Sequence, residues 1–207
     1  MMKPHQNPEA NGQIFNNPLL EVLSKSPPLV SAAIYATIIL TLLVLAVNKG
    51  VTGQVGLALI IYLSAIIFWT FFEYLAHRYI FHLDHYFPES KFARRISYIF
   101  HGIHHEYPRD VNRIIMPPAP GLLIISGLFI VFWSIMGKMV YLFLAGFLTG
   151  YLIYTYVHYK SHVTPIPPYL KNQYRHHALH HYKYENMAFG VSSRFWDWVF
   201  GTLPPKT

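Results

Sequence analysis

Histidine is the residue type with the clearest chemical pattern in this sequence: 13 of the 207 residues are histidine. On a helix, positions i, i+3 and i+4 share one face, so closely spaced histidines can direct two or three imidazoles at one point. A spacing of five differs, because five residues subtend about 140° on an ideal helix, so such a pair needs a helix end, a kink or a metal between its members. Four motifs occur, H-x-x-x-x-H at 77–82, H-x-x-H-H at 101–105, H-x-x-x-H at 158–162 and H-x-x-H-H at 177–181.

Clustered imidazoles are the ligand set of a transition-metal site. A neutral imidazole nitrogen binds zinc, copper or iron at roughly 2.0–2.2 Å. A single histidine near a membrane is more often an interfacial or core residue, but four spaced motifs argue against that role here. The motifs hold enough imidazoles for two metal ions, each with four or five nitrogen ligands. The predicted ligands are His77, His82, His101, His104, His105, His158, His162, His177, His180 and His181.

Other polar residues close to the motifs are candidate extra ligands or partners of ligands. His85 and His176 lie outside the four motifs. Glu73 lies four residues before His77, on the same helical face. A carboxylate can accept a ring N–H and so fix which ring nitrogen binds the metal, although an ordinary surface salt bridge is the alternative role. The candidate carboxylates are Glu73, Asp84, Glu106, Asp110 and Asp197.

The elements that carry these motifs are apolar enough for a membrane. The chain is 53% hydrophobic and only 12% charged, whereas roughly a quarter of a soluble domain is charged. About 20 apolar residues in a helix cross a hydrocarbon core about 30 Å thick. The sequence therefore predicts an all-α integral membrane protein, with buried helices of a soluble core as the alternative. Four spans are predicted, at 29–47, 55–76, 119–136 and 139–158.

The positions of Lys and Arg predict the orientation of these spans. Of the 16 Lys and Arg residues, all but Lys49 and Lys138 lie before the first span, between the second and third, or after the fourth. The positive-inside rule then places both termini and the histidine motifs in the cytoplasm. Residues 77–118 and 159–207 would form a helical cap, and 1–28 a polar N-terminal segment. Attraction to anionic lipid explains the basic charge better than nucleic-acid binding does.

Two long stretches extend the pattern beyond the histidines. They are HGIHHEYPRDVNRIIMPP at 101–118 and HHALHHYKYENMAFGVSSRFWDWVFGT at 176–202. With the four motifs, these stretches resemble the membrane fatty acid hydroxylase and sterol desaturase superfamily, most closely the fatty acid 2-hydroxylases. The resemblance covers roughly residues 70–203. It implies a four-helix membrane anchor beneath a cytosolic cap that holds a dinuclear metal centre bound by the ten motif histidines.

The resemblance also implies a reaction. An O2-dependent monooxygenase of this kind hydroxylates a fatty acyl chain of a lipid, here at the 2-position. Iron is the expected metal of the active enzyme, and zinc is the alternative in the isolated protein, because imidazole binds it more tightly than ferrous iron. A sterol or carotenoid hydroxylase or desaturase is the alternative. A non-enzymatic metal-binding membrane protein is disfavoured, because its ligands would lie within the spans.

One departure from the family pattern concerns the source of electrons. Members from fungi and animals often carry a haem-binding electron-carrier domain before the membrane part, and these 207 residues do not contain one. They also contain no cysteine for an iron–sulfur cluster and no G-x-G-x-x-G nucleotide fingerprint. The expectation is therefore a separate electron donor, of ferredoxin or cytochrome type, and a bacterial cytoplasmic membrane.

Overall fold

Helices make up the regular structure of the computed structural model, which describes residues 11–205. The prediction of an all-α chain is confirmed, since no strand occurs within that range. Two π-helical turns, Ala76–Phe81 and Tyr98–Gly102, interrupt the α-helices. In chain order the α-helices are α1 (Pro18–Leu23), α2 (Pro28–Asn48), α3 (Val55–Leu75), α4 (Leu83–Tyr86), α5 (Lys91–Ser97), α6 (Ile103–Glu106), α7 (Pro118–Met136), α8 (Val140–His162), α9 (Lys171–Tyr182) and α10 (Phe195–Val199).

Three helical segments are long and apolar enough to cross a membrane: Pro28–Asn48, Val55–Phe81 and Pro118–His162. These segments indicate an integral membrane protein. The first two correspond to the predicted spans 29–47 and 55–76. The third has 45 residues, and as one straight helix it would be about 68 Å long, more than twice the thickness of a hydrocarbon core.

The third segment reverses direction at Gly137. This glycine has a φ of +55°, and a short 3₁₀ turn, Gly137–Met139, joins α7 to α8. The rings of Phe132 and Phe143 lie 4.7 Å apart, whereas a straight helix would separate these positions by about 16 Å. Helices α7 and α8 therefore lie side by side and antiparallel, as the short Gly137–Lys138 connection predicts.

Small residues bring α8 close to α3. A side chain at Gly146 would collide with the backbone of α3, and one at Gly150 would collide with Trp69. Aromatic rings fill the space beside this contact, with Tyr151 at 5.2 Å from Trp69 and 4.6 Å from Tyr35 of α2. The close packing holds the ends of α3 and α8 together. The histidines at or just beyond these two ends are His77, His82, His158 and His162.

Candidate metal centre

The ten predicted ligands meet in two groups of five imidazoles. Within each group the candidate ligand atoms all lie within 4.8 Å of one another. The first group consists of His77, His82, His101, His105 and His180. The second group consists of His104, His158, His162, His177 and His181.

Ring nitrogens in the first group are spaced as ligands of one metal ion would be. The Nε2 atoms of His77 and His101 are 2.9 Å apart, and Nε2 of His180 lies 3.1 Å from that of His82 and 3.2 Å from that of His105. Two nitrogens that each bind a metal at about 2.1 Å lie about 3.0 Å apart at a right angle and about 3.4 Å apart at the tetrahedral angle. The measured distances match the right-angled value, so these residues fit a metal ion.

The second group has the same spacing. Nε2 of His158 lies 3.1 Å from Nε2 of His104, and Nε2 of His177 lies 2.8 Å from that of His162 and 3.0 Å from that of His181. Each of these pairs again matches two ligands at about a right angle around one ion. The chain thus offers two similar sets of nitrogen ligands.

A π-helical turn places His77 and His82 on the same side of the chain. On an α-helix their spacing of five would set them about 140° apart. The turn Ala76–Phe81 instead repeats from residue i to residue i+5, so both imidazoles enter the first group. The sequence leaves open a helix end, a kink or a metal between the pair, and the structure instead shows a π-helical turn that continues from the end of α3.

Each H-x-x-H-H motif contributes to both groups. His101 and His105 belong to the first group and His104 to the second, while in the other motif only His180 belongs to the first. Residues at i and i+4 share a helical face, whereas the remaining member points about 100° away from its neighbour. Of the two or three imidazoles that each triplet can direct at one point, the triplets bring two to one group and the third to the other group. They link the two groups.

Burial keeps these imidazoles neutral, which is the state that binds a metal. His180 is fully buried and His105 is 2% exposed. Desolvation lowers the pKa of His105 to about 3. Burial, and then the neighbouring imidazoles, lower the pKa of His180 well below its ordinary value. A neutral ring presents a nitrogen lone pair, so neither group needs to lose protons near neutral pH to accept a metal.

Backbone carbonyl groups hold two ligands of the first group in orientation. Nδ1 of His77 lies 2.5 Å from the carbonyl oxygen of Phe189, and Nδ1 of His180 lies 2.8 Å from that of Met187. When Nδ1–H donates to a carbonyl, Nε2 is left as the metal-binding nitrogen. Sequence reasoning missed these two carbonyls, because every residue carries one and no side-chain pattern marks it.

An apolar cavity of about 340 Å³ reaches the first group. His77 and His101 line it, and the rest of its wall is mostly aromatic and aliphatic side chains from α2, α3, α7 and α8, such as Tyr35, Leu128 and Phe147. Such a surface is suited to a hydrocarbon chain, because burial of apolar area is favourable and most of the wall is apolar.

A second, more polar cavity of about 370 Å³ reaches the second group. Its wall includes His162, His177 and His181, together with Arg109 and Tyr182, and it shares no lining residue with the apolar cavity. His162 is also the one member of either group that is only partly buried. The two groups are therefore approached through different surfaces.

Comparison with known proteins identifies the family of this chain. The family model for fatty acid hydroxylases matches residues 59–202, which is more than half of the chain. The chain belongs to the fatty acid hydroxylase family.

Relatives of this family member have been characterised in yeast, plants and mammals. The chain is 38% identical over 141 residues to the ceramide very long chain fatty acid hydroxylase SCS7 of Saccharomyces cerevisiae. The aligned region covers 65% of this chain and 35% of the yeast protein. It is 35% identical to mouse fatty acid 2-hydroxylase, over 70% of this chain and 40% of that one. It is 30% identical to the Arabidopsis thaliana dihydroceramide fatty acyl 2-hydroxylase FAH2, over 93% of this chain and 80% of that one. The chain thus spans two fifths or less of the yeast and mouse proteins.

A solved structure supports the same fold for this fatty acid hydroxylase family member. Full-length scs7p, in which only the hydroxylase domain is visible, superposes with a TM-score of 0.79 and 30% sequence identity. The superposition covers 95% of this chain and 74% of the other.

Two additional candidate histidines of the hydroxylase-family chain lie outside both groups of five. His85 approaches Glu185, with 3.8 Å between Nε2 and the carboxylate, and together with His82 these residues form a smaller cluster. Nε2 of His176 lies 2.9 Å from the carboxylate of Asp197. His176 thus contacts a carboxylate and belongs to neither group.

Two of the five candidate carboxylates, Glu73 and Asp110, also lie outside the groups. Glu73 accepts the backbone N–H groups of residues 191 and 192, at 2.7 and 2.9 Å. Asp110 accepts the backbone N–H groups of Gly12 and Asn112, both at 3.1 Å. Neither carboxylate has a hydrogen bond to an imidazole of either group among these contacts, so any effect of Glu73 on His77 passes through the chain near residue 191.

Proposed function

We propose that this protein is a membrane-bound monooxygenase that hydroxylates a fatty acyl chain of a lipid at the 2-position, with two metal ions held by the two histidine groups. The observation that carries the proposal is the apolar cavity, because it brings a hydrocarbon-binding surface to the imidazoles of the first group. The 2-position is supported by the names of the mouse and Arabidopsis relatives.

The residues present suit the metal chemistry that this reaction needs. Oxidation of an unactivated C–H bond by dioxygen requires redox chemistry that no side chain provides. Iron bound by the two groups would supply that chemistry by reducing dioxygen. The all-imidazole ligand sets are also compatible with zinc, which binds more tightly than ferrous iron, so isolated protein is expected to carry zinc.

The chain's own contribution is to bind and orient the acyl chain and to exclude water. Leu128 and Phe147 line the cavity away from the histidines, while His77 and His101 bring the ligand nitrogens to its wall. A flexible chain held in such a cavity presents one carbon repeatedly to the same place, which lowers the entropic part of the barrier. The apolar wall keeps bulk water from the reacting carbon.

We place the spans at α2, α3, α7 and α8, with the remaining helices in a cytoplasmic cap that carries the histidine groups. The reversal at Gly137 supports four spans, because it divides the third apolar segment into helices of 19 and 23 residues. The Lys and Arg bias supports cytoplasmic termini, since only Lys49 and Lys138 lie on the opposite side. The bacterial cytoplasmic membrane stays a prediction, and the relatives named above are eukaryotic.

We further propose that a separate acidic electron carrier docks beside the polar cavity. Hydroxylation of one C–H bond by O2 consumes two electrons and two protons and also forms one water molecule, and this chain has no cysteine to hold an iron–sulfur cluster. Exposed basic residues lie in the wall of the polar cavity or within three positions of its lining residues in sequence, which suits an acidic partner. They are Arg109, Lys171, Arg175 and Lys183.

Lipid mass spectrometry tests the proposed activity. A host that expresses the wild-type chain should gain one oxygen on lipid acyl chains, and a host that expresses His181→Ala should not, because the second group loses a ligand. His5→Ala is the matched control, since His5 lies in none of the four motifs. His5 is outside the described residues. Identical lipids from the two hosts, with both proteins folded and the wild type metal-loaded, would contradict the proposal.

A further inference from the structure

Residues 187–192 lie between two carboxylates and two of the proposed ligands. The N–H groups of residues 189 and 190 donate to Asp197, at 2.9 and 2.8 Å. Those of residues 191 and 192 donate to Glu73, at 2.7 and 2.9 Å. The carbonyls of residues 187 and 189 meet Nδ1 of His180 and His77. Both polar faces of this segment are therefore occupied, one by carboxylates and the other by imidazoles.

The backbone between the two carbonyls has an uncommon conformation. Ala188 has a φ of +58°, in the left-handed region that non-glycine residues seldom adopt. Its N–H donates to the carbonyl of Thr202 at 2.9 Å, and it is fully buried. Such a conformation persists only when surrounding contacts impose it. Here it lets the carbonyls on either side of Ala188 face the same histidine group.

One peptide group connects Asp197 to His77. The N–H of Gly190 donates to Oδ2 of Asp197 at 2.8 Å, and the carbonyl of the same peptide, from Phe189, lies 2.5 Å from Nδ1 of His77. Hydrogen bonds in a chain polarise one another, so a carboxylate on the N–H side makes the carbonyl a stronger acceptor. A stronger acceptor at Nδ1 makes the ring a better donor to a metal at Nε2.

Asp197 is well suited to this position. It is fully buried, and beyond the two N–H groups it accepts a hydrogen bond from the hydroxyl of Thr202 at 2.7 Å and lies 2.9 Å from Nε2 of His176. These donors compensate the loss of hydration, so the buried carboxylate keeps its charge and a single orientation.

The second group lacks an equivalent connection within residues 11–205. There the Nδ1 atoms of His104, His177 and His181 are buried and have no hydrogen-bond partner. The first group has one such atom, on His105. The first group therefore has two rings whose Nδ1 meets a backbone carbonyl, whereas the second group has three rings whose Nδ1 has no hydrogen-bond partner.

We infer that Asp197 is a positioning residue for the metal ion of the first group, acting on His77 through the peptide between Phe189 and Gly190. The inference rests on the proposed two-metal function. It assigns a role to the AFGVSSRFWD stretch at 188–197: the stretch sets the orientation and donor strength of a ligand. It also makes the two metal positions unequal, because the connection reaches only the first group.

The test compares zinc retention in purified full-length protein. Wild type should hold two zinc ions per chain in a chelator titration. Asp197→Asn keeps the shape of the side chain but removes its charge. The variant should lose one zinc ion at a chelator concentration about 10- to 100-fold lower than wild type requires, because removing the hydrogen-bond partner of a metal ligand usually weakens metal binding by about this factor. Anomalous scattering from zinc should show that the first group empties. Asp110→Asn is the matched control, since Asp110 is also buried and accepts two backbone N–H groups.

The outcomes separate this inference from the proposed function. If Asp197→Asn binds both ions like wild type, or loses both together, the inference is overturned while the two-metal centre stands. Fewer than two zinc ions on wild type would overturn the two-metal centre and the inference with it. If Asp197→Asn does not fold, Thr202→Val removes one donor to the same carboxylate, and it should shift the same single zinc by a smaller factor; no shift would overturn the inference.

Discussion

At the scale of single residues, the decisive feature is how the imidazoles are shared. Because each H-x-x-H-H motif serves both groups, adjacent histidines such as His104 and His105 belong to different proposed metal sites. Loss of one imidazole should therefore weaken one site and leave the other largely intact.

The first prediction concerns metal content. Elemental analysis of purified wild type should approach two metals per chain. His104→Ala should remove the ion of the second group and His180→Ala that of the first, so each should fall to about one, because a buried site that loses a ligand binds its ion far more weakly. His5→Ala should retain two. One tightly bound metal that neither substitution changes would contradict the dinuclear centre.

At the scale of elements, the helices decide both where ligands point and how much space the substrate has. The π-helical turn after α3 turns His77 and His82 to one side. Helix α7 closes the apolar cavity through residues such as Ile125 and Leu128. If the proposed acyl substrate lies in this cavity between α3, α7 and α8, side-chain volume on the inner face of α7 should limit its chain length.

The second prediction follows from that geometry. Leu128→Trp should fill part of the cavity and shift the hydroxylated products toward shorter acyl chains. The hydroxylation rate for the longest chains should fall about tenfold, because one group that does not fit an apolar pocket changes the rate by about that factor. The chain-length distribution of hydroxylated lipids, measured by mass spectrometry, checks it. Leu123→Trp is the control on the same helix, because Leu123 is 76% exposed. A distribution that does not change with Leu128→Trp would show that the acyl chain lies elsewhere.

At the scale of the whole molecule, charge and cavities are distributed asymmetrically. In the proposed four-span arrangement the basic residues lie mostly on the side of the histidine groups. The apolar and polar cavities reach different groups. A lipid and an electron carrier could therefore approach the centre without competing for one surface.

The third prediction concerns topology. Reporter fusions after Lys49 and after Thr207 should lie on opposite sides of the membrane, with Thr207 cytoplasmic, because 14 of the 16 Lys and Arg residues lie on the side of the termini and the histidines. A fusion after Lys138 should behave like the one after Lys49. If both Lys49 and Thr207 fusions were on the same side, the four-span arrangement would be wrong.

The fourth prediction concerns electrons. Iron-loaded protein with lipid and oxygen alone should complete at most a single turnover. Addition of an electron donor and its reductase should sustain catalysis, with either a ferredoxin or a cytochrome-type protein as the donor. Salt should weaken the donor's effect, because exposed charges are screened over about 8–10 Å at physiological ionic strength. Lys183→Glu should raise the KM for the donor, whereas Lys49→Glu, on the opposite side, should not. If turnover required the donor but did not change with salt concentration, the proposed docking surface would be wrong, while the need for a separate donor would stand.

Much of the fold and of the candidate site follows from local sequence. The helices α2, α3, α7 and α8 appear as apolar runs, because a helix that faces lipid needs no polar residues along its length. The ten histidines are recognisable by spacing, because a metal requires several nitrogens at short range and helical periodicity supplies them. The turn at Gly137 is also visible, since two apolar helices with a two-residue gap must fold back on each other.

Only the tertiary structure decided how those histidines divide. His101 and His105 separate from His104, and His180 separates from its own motif, because each ring points where its helix turns it and the packing of α3, α8 and α9 determines what it meets. The carbonyls of Met187 and Phe189, which meet Nδ1 of His180 and His77, could not be predicted either. Spacing along the chain records which residues share a helical face, whereas contacts between residues about 100 positions apart depend on the packing of whole elements.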